Sequence, residues 1–376
     1  MKAKIALVLL LLVSACLVAA SIVVTVTPGD TITINGCTTV LGLSGNVVSC
    51  ATQSATPTAT GTNTPQPTAT PTSAPLPTAT STATPAPVLR LAIIGDSTLD
   101  EYRANDNRGG VYGSTTHNPV ELLVSKRGVN AGVWGTRAEP RRTGYEFNWA
   151  RSGDTSLQAL NNQAPGVIAQ IQAGQVTHVI VMIGLNDFAP WGLAPSPDIY
   201  SGALAGATLT SRLNTISDRI SQTARNVNSA APGRVLLVSV QDYLYLQVLP
   251  DFEMSVYSDP VKRQRIRDAI AYVNSRIQTQ AATDGIAFLD YNAAMVTELT
   301  ARRSGNNDFT IGGQVIDANV RGDEPHHILL NDTYMHPGTA YSGLVANIVI
   351  ARVNQAWGAG LLPMTDAEIL AAAGIP

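Results

Sequence analysis

Charge is scarce in this 376-residue chain. Only 14% of its residues are Asp, Glu, Lys or Arg, against roughly 25% in an ordinary soluble domain. Residues 1–87 hold just Lys2, Lys4 and Asp30, and every other charge lies beyond them, so two unlike parts share one average. The formal net charge of −3 leaves no large basic face and excludes nucleic acid as a partner. Cysteine is scarce too. None occurs after Cys50, so residues 88–376 contain neither a thiol nucleophile nor a thiolate metal site. Long apolar runs are reduced to one, near the N-terminus, which excludes a bundle of membrane-spanning helices. Aromatics make up 5%, and they form no clear platform for stacking sugars.

The one apolar run, residues 5–20, comes after Lys2 and Lys4. A positive start before a short apolar core is the layout of an export signal. Three readings stay open. Small residues at Val18-Ala19-Ala20 suit cleavage by a signal peptidase. Val13-Ser14-Ala15-Cys16 resembles a bacterial lipobox, in which Cys16 is lipidated. Ser21-Ile22-Val23-Val24 could instead lengthen the run into an uncleaved anchor. Each places the remainder outside the cytoplasm, either extracellular or tethered at the cell surface through the N-terminus. With Cys16 assigned to the signal, Cys37 and Cys50 are left as an even pair, which in an exported chain reads as one disulfide.

Composition divides the chain into four segments. Residues 1–20 are the signal or anchor. Residues 21–52 alternate apolar and polar around turn residues such as Pro28-Gly29-Asp30, the pattern of a small β segment. Residues 53–87 contain 12 Thr and 8 Pro and no charge. Proline blocks helix and sheet there, so the stretch is an uncharged tether. Thr/Pro tracts in exported chains are often O-glycosylated.

From residue 88 the pattern changes to short β-branched runs separated by amphipathic stretches. Strands are expected at 91–94, 178–183, 235–240 and 286–289, and helices near 203–229, 260–282 and 337–357. Continuous apolar strands between helices are covered on both faces. That predicts a parallel, flavodoxin-like sheet in a three-layer α/β/α sandwich, one domain over residues 88–376. In such sheets the site lies beyond the C-terminal strand ends.

Four short blocks stand at those ends. The first strand runs into Gly95-Asp96-Ser97-Thr98, with Ser97 at the mouth and a helix N-terminus expected nearby. Next come Asn148-Trp149-Ala150-Arg151-Ser152-Gly153, then Gly184-Leu185-Asn186-Asp187, and last Met335-His336-Pro337. A Ser, a bare backbone N–H, an amide and a His are the parts that acyl transfer needs. In this order the blocks resemble the SGNH hydrolase family, also called GDSL esterases and lipases. The resemblance spans about 90–357. It implies Ser97 as nucleophile and His336 as general base. It also implies an oxyanion hole made by the backbone N–H groups of Ser97 and Gly153 and the side chain of Asn186. Neither a cofactor nor a metal is required. The family's late block is Asp-x-x-His, but here Thr333 stands three residues before His336 and Asp332 four before. One extra loop residue would leave Asp332 as the group orienting the imidazole.

Other polar residues have plainer readings. Asp96 and Asp187 brace loops, Asp154 and Thr155 cap the next helix, and Arg151 finds a carboxylate. His178 is a satisfied residue, and His326-His327 are solvated. The long stretch 100–147, with Asp100-Glu101-Tyr102-Arg103, is expected to shape the pocket. The implied activity is hydrolysis of carboxylic esters, short-chain or acetyl, on small molecules or polysaccharides. Two alternatives are an acyltransferase on the same residues and a surface carbohydrate-binding or adhesion protein that keeps the fold without turnover.

Overall fold

The computed structural model describes residues 89–102, 115–139, 141, 143–188, 195–242, 258–304, 308–318, 322, 325–330 and 336–376, with the backbone of short strands between residues 7 and 50. Two compact units, Met1–Ser81 and Thr82–Pro376, divide the chain inside the Thr/Pro tract.

In the larger unit the expected strands form. They are β1 (Leu91–Gly95), β2 (His178–Met182), β3 (Val235–Val238) and β4 (Ala287–Leu289). All pair in parallel, in the order β4-β3-β2-β1. Beyond β1 the chain adds a fringe. Leu91 N donates to Asn130 O and Ile93 N to Phe147 O, and Trp149 N returns to Ile93 O, through isolated parallel bridges. With that fringe in second place the order is the flavodoxin-like one, its switch point beside β1.

Alternation along each strand feeds two cores. Leu91 and Ile93 of β1, Ile180 and Met182 of β2, and Leu236 and Val238 of β3 enter one cluster. That cluster is covered by α1 (Pro119–Arg127), α5 (Tyr291–Arg302), α6 (Thr339–Trp357) and α7 (Asp366–Ala373). Ala92, Ile94, Val179, Val181, Val235 and Leu237 enter the other, beneath α2 (Ala164–Gln172), α3 (Gly206–Ala230) and α4 (Pro260–Thr283). Strands buried on both faces are therefore a continuous apolar run with two destinations.

Some boundaries differ from the sequence reading. The helix expected at 337–357 begins at Thr339, two residues after Pro337, and is not the last, because α7 follows it; β3 stops at Val238. No helix N-terminus stands at Ser97, which lies in a turn. The long stretch 100–147 contains α1, capped by Asn118 and Glu121 in a reciprocal box. Residues 103–114 of the stretch lie outside the described residues.

In the smaller unit, Leu7–Val8 pairs with Val23–Val24, and Thr31–Ile34, Cys37–Gly42 and Gly45–Cys50 form an antiparallel sheet in sequence order. Its register sets Cys37 directly opposite Cys50. The tether, residues 53–87, lies outside the described residues.

Candidate active site

β1 delivers Asp96 and Ser97 to the rim. Leu99 N and Asp100 N both donate to Asp96 O, at 3.1 and 3.0 Å, and Thr98 N donates to Asp96 Oδ1 at 3.1 Å. These bonds close a turn with Ser97 half-buried at its apex. Asp96 itself is buried. Burial pushes its carboxyl up to about 6, against the pull of His336 and with a further push from Asp187. Asp96, Asp187 and His336 thus share one electrostatic neighbourhood.

A second turn faces the first. Arg151 N donates to Gly95 O at 3.1 Å, and Asp154 N closes back on Arg151 O at 3.1 Å. Gly153 occupies the third position of that turn with φ of 87°, a value that favours glycine. Ser152 N donates to Asp100 Oδ2 at 2.9 Å, which anchors the turn from below. No hydrogen bond among the described residues uses the N–H of Ser97 or of Gly153.

The third segment begins at Gly184, whose φ of 119° turns the chain sharply out of β2 into a short 3₁₀ turn, Leu185–Asp187. Asn186 Nδ2 donates to Asp154 O at 2.9 Å. A primary amide has two donor hydrogens, so one remains for a ligand. Asp187 accepts from Ser156 N at 2.7 Å and Ser156 Oγ at 2.8 Å, fastening this segment to the one before it.

His336 arrives from the opposite end of the chain. Leu330 N donates to His336 O at 2.8 Å and Gly338 N to Ile328 O at 2.7 Å. Thr339, at the start of α6, accepts from His117 N and donates to Thr115 O. The imidazole is buried and meets the Tyr102 ring edge-on, centroids 5.7 Å apart at 63°. Tyr102 is itself fully buried. Packing of this kind fixes a ring in one orientation.

Ser97, Gly153 and Asn186 therefore lie on three segments joined by hydrogen bonds, and His336 shares their electrostatic neighbourhood. Asp332 lies outside the described residues, as does Arg103. Other expectations divide. Arg151 pairs with Glu139 at 3.2 Å, and Asp96 and Asp187 brace turns. Thr155 caps the next helix with Gln158, but Asp154 does not, since its carboxylate accepts from Gln163 Nε2. His178 sits at the N-terminal end of β2, bonded to Thr177 and tilted against Trp357, and burial lowers it to about 4. His326 is exposed and His327 half-buried, and the backbone on either side of His327 pairs with that of Asp317. Among the described residues no group of His, Cys, Asp and Glu could hold a metal.

Asp100, Glu101 and Tyr102 follow the Ser97 turn into the interior. All three are buried, and their work is bracing. Glu101 accepts from Tyr145 N at 2.8 Å against Gly144, and burial pushes its carboxyl to about 8, with Asp100 beside it adding to the push. Three adjacent polar residues after a strand gave no hint of full burial. The only signal was their closeness to Ser97.

A family model described as GDSL-like lipase/acylhydrolase matches residues 91–331. No curated protein sequence matches the chain. Among solved structures, the chain is similar to an acetylxylan esterase from Geobacillus stearothermophilus, at 17% identity, covering 70% of this chain and 94% of that one, with a TM-score of 0.37. A lipase/acylhydrolase from Enterococcus faecalis shows 13% identity, with 74% and 99% covered and a TM-score of 0.36. A protein from Bacillus subtilis shows 12% identity and a TM-score of 0.38. There the match covers 72% of this chain but only 57% of that protein's length.

Proposed function

Because this chain belongs to the GDSL-like lipase/acylhydrolase family and is a serine ester hydrolase, we propose that it is an exported esterase working through an acyl-enzyme on Ser97. This reading is supported by the hydrogen bonds that tie three turns together at the end of β1: Gly95 O bonds the Gly153 turn, and Asn186 bonds the same turn.

In this mechanism Ser97 Oγ attacks the ester carbonyl carbon and its proton passes to the His336 imidazole. The carbonyl oxygen becomes an oxyanion. It is received by the Ser97 and Gly153 N–H groups and by the second Asn186 amide hydrogen. His336 then protonates the leaving alcohol oxygen as the carbon–oxygen bond breaks. Water attacks the acyl-enzyme, His336 takes its proton, and collapse returns that proton to Ser97 and releases the carboxylic acid. Asp332 orients His336 and stabilises the imidazolium. No step requires a metal or cofactor.

The preferred substrates are short-chain or acetyl esters, on small molecules or polysaccharides. The N-terminal signal exports the protein, and the uncharged Thr/Pro tether spaces the enzyme from the wall or membrane. A Cys37–Cys50 disulfide staples the small sheet. A panel of p-nitrophenyl esters of increasing acyl length, together with an acetylated polysaccharide, tests the substrate class. kcat/KM should be highest at acetyl and fall with chain length; a maximum at long acyl chains contradicts it. Adding acceptor alcohols to the same assay separates hydrolysis from acyl transfer, because only transfer yields a new ester.

A further inference from the structure

Gln163 is a buried polar residue, 1% exposed, that the catalytic scheme does not use. It closes a π-helical turn, Ala159–Gln163, between the short helix Ser156–Gln158 and α2. A π turn holds one more residue than the α-helical ring and so rotates the helical residues beyond it. Flanked by buried Ala159 and Ala164, the amide faces β1. Gln163 Oε1 accepts from Gly95 N at 2.9 Å, and Gln163 Nε2 donates to Gly95 O at 2.9 Å. The same nitrogen donates to Asp154 Oδ2 at 2.7 Å.

These bonds continue a ladder whose backbone partner has left. Two residues earlier, Ile93 bonds Phe147 O and Trp149 N of the fringe in the parallel pattern. At Gly95 only the Arg151 N–H is still supplied by that fringe, because the chain there bends into the Gly153 turn. Gln163 supplies the missing acceptor and a second donor. The fringe is thereby released to form the turn while Gly95 stays satisfied, as a buried peptide must.

We propose that Gln163 is a positioning residue for the oxyanion hole. It holds the strand end two residues before Ser97 and the residue after Gly153. Through the Asp154 carbonyl, which receives Asn186, it is linked to the third donor. It does not touch substrate. A primary amide is required, because one side chain must accept from one peptide and donate to that peptide and to a carboxylate. Glutamate loses the donor when ionised, and leucine loses both functions. The inference rests on the reading of Ser97, Gly153 and Asn186 as catalytic.

The test compares full-length Gln163→Leu, Gln163→Glu and Ser97→Ala with the parent protein. p-Nitrophenyl acetate kinetics are taken per folded molecule, together with the rate of fluorophosphonate labelling. Gln163→Leu should lower kcat by ~10–100-fold, as misplaced catalytic groups do, and leave KM within about twofold, the pattern of lost transition-state stabilisation. Labelling should slow in parallel. Gln163→Glu should match it at pH 8. Its kcat relative to the parent should recover toward pH 5, where a protonated carboxyl donates again. Parent-like kcat in both variants would overturn the role. So would failure of both to fold, which would make Gln163 a residue of the fold as a whole. Hydrolysis surviving in Ser97→Ala would instead remove the esterase scheme itself.

Discussion

The Asn186 side-chain amide donates to the Asp154 carbonyl across 2.9 Å. One hydrogen is thereby committed to holding the amide, and the other is aimed by the first. Asn186→Ala should lower kcat by ~10²–10³-fold, the usual cost of one oxyanion donor, with KM changed little. Asn186→Asp should lose as much, since an ionised carboxylate cannot donate. Steady-state kinetics on acetyl esters checks both. An Asn186→Asp variant that keeps parent activity would show that no donor is needed there.

Two glycines of the site should fail for different reasons. Gly153 has φ of 87° and nothing within 4 Å of a built Cβ. Gly153→Ala should therefore cost only the left-handed backbone penalty, ~1–2 kcal/mol. Gly184 has φ of 119°, and its Cβ would also meet Val240 Cγ2 at 2.7 Å. Gly184→Ala should add overpacking of ~1–3 kcal/mol. Urea unfolding of the two variants measures the order. Equal losses would mean that the Val240 contact relaxes without cost.

Stability should carry a pH signature from Glu101. Its carboxyl is raised from 4.5 to about 8 by burial. Between those values the unfolded chain is ionised there while the folded chain holds the proton. Folding then takes up a proton, and stability falls as pH rises across the window. Glu101→Gln removes that titration and should flatten the curve by up to ~1.4 kcal/mol per pH unit. Asp96, raised to about 6, keeps a slope of the same sign over a narrower window, below about pH 6. Chemical unfolding from pH 5 to 8 decides; parallel curves for the two proteins would contradict the buried neutral carboxyl.

Asp332→Asn tests the departure from the family's late block. With Asp332 orienting His336, kcat should fall by about 10²-fold or more while the fold is kept. Near-normal kinetics would assign the orientation of His336 to another group.

Much of this arrangement is legible in the sequence. The four strands are readable because burial on both faces makes a strand apolar throughout. The Ser97, Gly153, Asn186 and His336 blocks are readable because each marks a strand or helix end. The bracing is not. Asp100, Glu101 and Tyr102 look like an ordinary polar stretch, since burial of a carboxylate is set by partners that arrive from residues 144–152. Gln163 is invisible for the same reason: its partners, Gly95 and Asp154, are set by a π turn that no local pattern announces. Thr155 is readable as a cap from its spacing to Gln158, whereas Asp154 shares the residue type of a cap but is claimed by Gln163.

The central claim is a nucleophile at Ser97, and the most direct measurement is fluorophosphonate labelling of the parent protein and of Ser97→Ala, read by intact mass alongside p-nitrophenyl acetate turnover. The parent should gain one phosphonyl adduct as turnover is lost, and Ser97→Ala should gain none and hydrolyse nothing above background. An adduct of equal stoichiometry on folded Ser97→Ala, or undiminished turnover, would contradict it.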